Sequence, residues 1–154
     1  MFAQYLSEWF GKVVTFEPVA ENLACMVDNV RAKNVGIVPC ALSDRFEMGA
    51  IERVDGNPGA GRFVAGKTVF AHPLDNMGLV DVDFIQLDVE GYELRALKGA
   101  ETTIRLSWPV IMVELKGLGG RIGDSDQSVR DWLVGLGYRK GGDVNKDTWY
   151  VRAE

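Results

Sequence analysis

The sequence predicts an α/β fold in which a mostly parallel sheet is covered by helices on both faces. Short runs rich in valine, isoleucine and leucine alternate with segments whose apolar residues recur every three or four positions. The first pattern is typical of strands buried on both sides, and the second of amphipathic helices. The last two apolar runs flank Gly141-Gly142, which indicates a closing antiparallel hairpin. A length of 154 residues with 47% hydrophobic content predicts a single domain, 1–154.

The first half of the chain begins with a regular alternation of helix and strand. Phe2, Leu6 and Trp9 have helical spacing, and the following apolar run stops at Glu17-Pro18. In order, the predicted elements are helix 2–10, strand 13–16, helix 19–33 and strand 35–42. Residues 45–76 contain five glycines, so we expect an irregular, mobile surface segment there with at most a small hairpin over 62–70.

The second half repeats the alternation. Leu94, Leu97 and Ile104 have helical spacing, and so do Val129 and Leu133. In order, the predicted elements are strand 84–89, helix 90–106, strand 110–115, a glycine-rich turn 117–123, helix 125–136, and two antiparallel strands near Tyr138 and at 148–151.

Composition narrows the classes of function. A formal net charge of −5 argues against a nucleic-acid groove or an anionic membrane surface, because both require clustered lysine and arginine. No apolar run of about 18 residues is present, so no membrane-spanning helix is predicted, and the first residues lack a signal-peptide pattern. Cys25 and Cys40 form no C-x-x-C pair and His72 is the only histidine, so no metal site is expected. We therefore predict a cytoplasmic protein with reduced thiols.

Acidic residues follow four successive predicted strands. Glu17 ends the first, Ser43-Asp44 the second, Asp88 and Glu90 the third, and Glu114 the fourth. In parallel sheets ligands bind beyond the carboxyl ends of the strands, so these side chains are expected at one rim. Glu17 either accepts hydrogen bonds from ribose hydroxyls or is a solvated turn residue before proline.

The segment Asp88-Val89-Glu90-Gly91-Tyr92-Glu93 carries three acids where a strand turns into a helix. Glu90 and Glu93 either complement the positive end of that helix or belong to a site. Asp88 is the stronger candidate for orienting a substrate or accepting a proton.

These residues resemble the FkbM family of methyltransferases. The resemblance runs from about Val13 to Val113. It includes Val-Val-Thr-Phe-Glu-Pro at 13–18, Cys-Ala-Leu-Ser-Asp at 40–44, the block around Asp88 with Leu-Lys-Gly-Ala at 97–100, and Trp-Pro-Val-Ile-Met-Val-Glu at 108–114. It implies a Rossmann-like class I methyltransferase, a three-layer sandwich that uses S-adenosylmethionine for O-methyl transfer to a small-molecule or sugar hydroxyl.

By that resemblance, each strand-end residue has an implied role. Glu17 holds the ribose of S-adenosylmethionine, and Ala41, Leu42 and Ser43 lie beside the adenine. Asp88 is the catalytic residue between cofactor and acceptor. Glu90, Glu93 and Glu114 line or support the cleft.

The sequence departs from the family in two places. Gln86 stands where a lysine is usual two residues before the aspartate. The family's first strand and its Asp-x-Gly-Ala-Asn-x-Gly turn are expected before residues 2–10 and are not found. We therefore expect an N-terminally incomplete domain with a slot in the sheet, weak or undetectable cofactor binding and doubtful activity. Either strands 13–16 and 84–87 close onto each other, or a neighbouring chain in a homo-oligomer fills the slot.

Two other readings compete with the methyltransferase. A degenerate, noncatalytic Rossmann-like module acting in oligomerisation or protein binding would keep the same sheet. A nicotinamide-dependent dehydrogenase would share the acid after strand 13–16 but requires a Gly-x-Gly-x-x-Gly turn that the sequence lacks. Sugar hydroxyls, small metabolites and lipidated saccharides all remain open as acceptors.

Overall fold

The computed structural model describes residues 2–54, 57–117 and 124–154, which form a mixed α/β fold. The helices are α1 Phe2–Leu6, α2 Ala20–Asn29, a 3₁₀ turn Leu74–Met77, α3 Glu93–Lys98, α4 Glu101–Ser107 and α5 Asp126–Gly135. The strands are β1 Val13–Phe16, β2 Val35–Val38, β3 Ala41–Leu42, β4 Glu47–Val54, β5 Asn57–Ala65, β6 Val69–His72, β7 Phe84–Leu87, β8 Val110–Glu114, β9 Tyr138–Val144 and β10 Asp147–Arg152.

The strands are arranged in three sheets. β1 pairs in parallel with β2; a second sheet has the order β7-β8-β10-β9, and a third has the order β3-β6-β4-β5. In the second sheet β7 and β8 are parallel, whereas β10 is antiparallel to both of its neighbours. The predicted closing hairpin is therefore present as β9 and β10, but its turn lies between Val144 and Asp147, and the predicted turn at Gly141-Gly142 is wrong because both glycines lie within β9.

The prediction of a mostly parallel sheet is wrong for the described residues. β4 is antiparallel to β5 and β6, β10 is antiparallel to β8 and β9, and only three strand pairs are parallel. Two of the four antiparallel pairs, β4 with β5 and β4 with β6, lie in residues 45–76, the segment predicted to be irregular. A β-carbon added to Gly49 would overlap the Phe63 ring, and one added to Gly61 would lie 2.5 Å from Ile51 Cγ2. These glycines therefore admit large side chains from the opposite strand instead of breaking the strands.

Several predicted elements are shorter or divided. Helix 2–10 ends at Leu6, helix 19–33 covers Ala20–Asn29, and strand 35–42 is divided into β2 and β3. Helix 90–106 is divided into α3 and α4 at Gly99. The division lets the chain pass close to the end of β3, because a β-carbon at Gly99 would overlap the Ser43 carbonyl oxygen. The predicted turn at 117–123 lies mostly outside the described residues.

The hydrophobic core lies between the β7-β8-β10-β9 sheet and helices α3, α4 and α5. The fully buried residues Leu97, Ile104, Ile111, Val113 and Leu133 form its centre. Burying each such side chain contributes about 1.5–3 kcal/mol. The carboxyl ends of β7 and β8 are thus supported by the most extensively buried part of the molecule. Helix α2, by contrast, has no buried residue.

Within the described ranges, no helix has both the length and the apolar character needed to cross a membrane.

Candidate functional site

A cavity of about 740 Å³ separates the β1-β2 sheet from β7. Every residue of β1 and every residue of β7 lines it, and Phe2, Leu6 and Phe10 line it as well. Successive side chains of a strand point to opposite faces, so a cavity on one face would contact only alternate residues. Contact with consecutive residues of both strands means that the cavity runs along the strand edges and faces backbone N–H and C=O groups.

Of the two alternatives expected for the open sheet, direct closure of strands 13–16 and 84–87 is wrong for the described residues. Across the part of the chain that the structure describes, β1 pairs only with β2, and β7 pairs only with β8. The Phe10 ring stacks on the Phe84 ring, with centroids 5.9 Å apart and planes inclined by 16°. These rings occupy the amino-terminal end of the gap, where direct pairing would require them to move.

The two flanking strands end at the same rim. Phe10 and Phe84 bring together the residues at which the strands begin, and Glu17 and Asp88, which follow the strand ends, both line the cavity. β1 and β7 therefore run in the same general direction, as the acidic rim requires.

Glu17 is held by the turn into α2. Its Oε1 accepts a hydrogen bond of 2.8 Å from the Val19 N–H, just before α2 begins. This is the local side-chain bond by which an acid organises a turn. Among the described residues Oε2 has no hydrogen-bond partner, so one carboxylate oxygen is left for a ligand.

The residues at the end of β3 have different positions. Ala41 and Leu42 line the cavity, whereas Ser43 does not. Ser43 is completely buried, and its hydroxyl donates to Glu47 Oε1 at 2.5 Å. Its N–H donates to the His72 carbonyl oxygen at 3.0 Å. Ser43 thus connects β3 to β4 and β6 beneath the site.

A cluster of three acids surrounds one lysine at the ends of β7 and β8. Lys116 Nζ lies 3.1 Å from Asp88 Oδ1, 3.0 Å from Glu90 Oε1 and 3.1 Å from Glu114 Oε2. Partial burial lowers the pKa of Lys116, but the hydrogen bonds with Glu90, Glu114 and Asp88 outweigh it and raise the pKa above its ordinary value. Asp88 and Glu90 line the cavity; Glu114 and Lys116 do not.

Sequence reasoning missed Lys116. The available signal was a cation two residues beyond a strand end, beside a parallel strand that ends in two acids. Parallel pairing of Leu87 with Val113 places Asp88 beside Glu114. Lys116, two residues after Glu114, is therefore expected near both acids.

Glu93 is a buried acid behind the cluster. Its carboxylate accepts a 3.0 Å hydrogen bond from the Gly91 N–H and does not line the cavity. Burial raises its pKa above the ordinary value, although backbone hydrogen bonds from Gly91, Glu93 and Val89 oppose the shift. This geometry matches the helix-start reading, in which Glu93 stabilises the turn into α3.

The β4-β5 hairpin supplies a wall that sequence reasoning missed. Ile51, Arg53, Gly61 and Phe63 line the cavity. The cross-strand pairs Ile51 with Phe63 and Arg53 with Gly61 place these residues on one face. Phe63 packs at 5.0 Å, centroid to centroid, against the ring of Tyr92, which also lines the cavity. The hairpin therefore covers the strand-end rim with an apolar and aromatic surface.

The family assignment rests on the comparison with known proteins. The sequence profile described as Methyltransferase FkbM domain matches residues 1–140. The chain belongs to the FkbM methyltransferase family. The resemblance stated from the strand-end motifs is thereby confirmed. No curated protein matches this FkbM chain significantly.

One solved structure shares the fold of this FkbM chain. It is the crystal structure of methyltransferase FkbM from Methylobacillus flagellatus KT, with a TM-score of 0.61 and 18% sequence identity. The alignment covers 92% of this chain and 36% of that chain. The FkbM chain described here thus spans about a third of the length of that solved protein.

Proposed function

We propose that this chain uses S-adenosylmethionine in the cavity between β1 and β7 and serves O-methyl transfer to a small-molecule or saccharide hydroxyl. The observation that carries the proposal is that Glu17 and Asp88, at the ends of two separate strands, line one cavity together with Ala41 and Leu42. A volume of about 740 Å³ is within the range of small-molecule sites. Family membership supports methyl transfer as the reaction class.

The residues present fit the proposed cofactor. Glu17 Oε2, which has no hydrogen-bond partner among the described residues, can accept from ribose hydroxyls while Oε1 keeps the turn in place. Ala41 and Leu42 offer an apolar surface for the adenine. S-adenosylmethionine, when bound, supplies a methyl group activated by a positive sulfonium. Asp88 and Glu90 carry negative charge at the rim, which favours a cation there.

Asp88 is the proposed catalytic residue. One of its oxygens, Oδ1, pairs with Lys116, and its side chain is 45% exposed at the cavity. An acceptor hydroxyl hydrogen-bonded to Asp88 would be oriented for in-line attack and could give its proton to the carboxylate. Glu93 and Glu114 are proposed to support this arrangement from behind.

The hairpin wall is proposed to contact the acceptor. Phe63 offers an aromatic surface on which a sugar ring can stack, and the buried ring of Tyr92 packs against Phe63. A cytoplasmic location is proposed with it, supported by the unpaired thiols of Cys25 and Cys40.

We also propose that a neighbouring copy of the chain covers the open strand edges in a homo-oligomer. Unpaired backbone groups along β1 and β7 favour pairing with added strand. An added strand would lie along these backbone edges and leave the rim at the strand ends, with Glu17 and Asp88, to the nucleoside. Sedimentation velocity that finds only monomer at about 100 μM would contradict this proposal.

The alternative function, a noncatalytic module acting in oligomerisation, is favoured by the same open edges. Nucleoside binding separates the two. We expect S-adenosylhomocysteine to shift the amide NMR signals of residues near both Glu17 and Asp88, with a dissociation constant in about the millimolar range. The variants Glu17→Gln and Asp88→Asn should each weaken binding by about tenfold, the loss expected for one charged hydrogen bond.

A matched control is Glu101→Gln, because Glu101 forms an exposed pair with Arg105 and does not line the cavity. This variant should bind S-adenosylhomocysteine like the unmodified chain. The absence of any shift at about 5 mM ligand would overturn the proposed cofactor and leave the noncatalytic module.

A further inference from the structure

Lys116 is the cation shared by three strand-end acids. Its Nζ lies within 3.1 Å of one oxygen from each of Asp88, Glu90 and Glu114. Among the described residues, no other basic side chain forms an ion pair with any of these acids. Without Lys116, three negative charges would converge on one point, and each carboxylate would be repelled by the other two.

The backbone beside Lys116 gives a second, independent observation. Glu90 has φ 53°, a left-handed conformation that is unfavourable for a residue with a side chain, and Gly91 follows with φ 101°. The ion pair with Lys116 holds the side chain of Glu90 in this turn from one side. Glu93 holds the N–H of Gly91 from the other side. The strained turn begins two residues after Asp88, and Lys116 contacts both Asp88 and Glu90, so the ion pairs tie the turn to that carboxylate.

Lys116 reaches the acids from behind the cavity. Asp88 and Glu90 line the cavity and Lys116 does not, although its side chain is 29% exposed. The ammonium can therefore orient the two carboxylates without occupying ligand space. It also reduces the formal charge of the three-acid cluster from −3 to −2.

We propose that Lys116 is a positioning residue that orients Asp88 and Glu90 and sets the charge that the cavity presents to the methyl donor. The inference rests on the proposed function. It adds that Lys116 determines how strongly the site prefers a cationic ligand over a neutral one. S-adenosylmethionine and S-adenosylhomocysteine differ by one methyl group and one positive charge, so their affinity ratio reports this effect directly.

The test compares Lys116→Met, Lys116→Arg and Lys98→Met in NMR titrations with both nucleosides. Lys98 is exposed and forms no ion pair in the described residues, so Lys98→Met removes the same formal charge without touching the acids. Lys116→Met should weaken S-adenosylhomocysteine binding by about fivefold or more. It should raise the affinity ratio of S-adenosylmethionine to S-adenosylhomocysteine by about threefold, the effect of one unit charge about 6–7 Å away in water.

Lys116→Arg should restore the affinity and the ratio to within about twofold, because the charge and the donors remain. Lys98→Met should change neither. If Lys116→Met matches Lys98→Met in both quantities, Lys116 does not position the acids and the inference is overturned. Failure of the unmodified chain to bind either nucleoside would instead overturn the proposed function.

A measurement without cofactor then decides the structural part of the inference. Lys116→Met should unfold at lower urea concentration than Lys116→Arg at about pH 7.5, where the acids are charged. The difference should shrink at about pH 3.5, where carboxylates become protonated. An equal difference at both pH values would show that the ammonium does not hold the three acids.

Discussion

Gly99 is the position where one added methyl group should do the most damage. It directly follows Lys98, the last residue of α3, and has φ −72° and ψ −5°, which any residue can adopt. Alanine there would normally stabilise the helix end by about 0.5–1 kcal/mol. A β-carbon at Gly99, however, would overlap the Ser43 carbonyl oxygen and lie 2.8 Å from the Ser43 carbonyl carbon and 3.1 Å from Pro73 Cα. All three neighbours are backbone atoms and cannot rotate away.

The expected cost of Gly99→Ala follows from these contacts. Overpacking against a rigid neighbour costs about 3 kcal/mol, at the upper end of the usual range. The Gly99 carbonyl oxygen also accepts a 2.9 Å hydrogen bond from the Asp75 N–H, and disturbing it adds about 1 kcal/mol. After the propensity gain is subtracted, Gly99→Ala should lower the free energy of unfolding by about 3 kcal/mol, or the Tm by about 6–12 °C.

Gly135→Ala is the matched control. Gly135 is the last residue of α5, its φ is not positive, and a β-carbon there would have no neighbour within 4 Å. This variant should be more stable than the unmodified chain by about 0.4–1 kcal/mol. Urea unfolding followed by tryptophan fluorescence measures both variants. A Gly99→Ala protein within 1 kcal/mol of the unmodified chain would refute the steric reasoning and the contact between α3 and the end of β3.

Three further predictions concern capping, burial of charge and core packing. Asp75→Ala should destabilise the fold by about 1–2 kcal/mol in urea, because the Asp75 carboxylate accepts hydrogen bonds from two N–H groups at the start of α4. Desolvation opposes the charge on Asp75, but these hydrogen bonds outweigh it and lower the pKa, so the loss of stability should fade in acid. A loss that stays constant down to pH 2 would contradict the cap. Glu93→Gln should gain stability relative to the unmodified chain as pH rises from 4 to 8, because burial raises the pKa of Glu93. The stability linked to protonation of Glu93 is present below its ordinary pKa of about 4.3 and is lost as pH rises through the folded value. A difference in unfolding free energy between the two proteins that does not change with pH would contradict this. Leu133→Ala should lower the free energy of unfolding by about 3–5 kcal/mol, because Leu133 is fully buried. Val134→Ala, at a side chain that is 61% exposed, should lower it by less than about 0.5 kcal/mol. Similar urea midpoints for the two variants would contradict the core assignment.

The sequence was most informative where local pattern and tertiary position agree. Val13–Phe16 is a strand with the predicted bounds, because an apolar run before Glu17-Pro18 has few other options. The acids at strand ends could be predicted to share a rim because parallel strands place their carboxyl ends together. Glu17 and Asp88 indeed line one cavity. The family was also predictable, because its motifs extend over most of the chain.

The sequence was least informative where glycine, pairing or charge depends on distant residues. Glycine was read as a strand breaker over 45–76, but Gly49 and Gly61 make room for side chains of the opposite strand. Gly99 likewise divides a helix because of Ser43, which is distant in sequence. The contact of Lys116 with Asp88 and Glu90 could not be predicted from sequence, because it depends on β7 and β8 being neighbours. In each case the deciding contact is between residues far apart in sequence, which local periodicity does not record.

The most direct test of a nucleoside site shared by the ends of β1 and β7 is hydrogen–deuterium exchange with and without S-adenosylhomocysteine. Peptides that contain Glu17 and Asp88 should both exchange more slowly when the ligand is present, with the same concentration dependence. Peptides from the middle and end of α5, whose residues do not line the cavity, should be unaffected. Protection of only one strand end, or of neither, would contradict the proposal that these two carboxylates serve a single ligand.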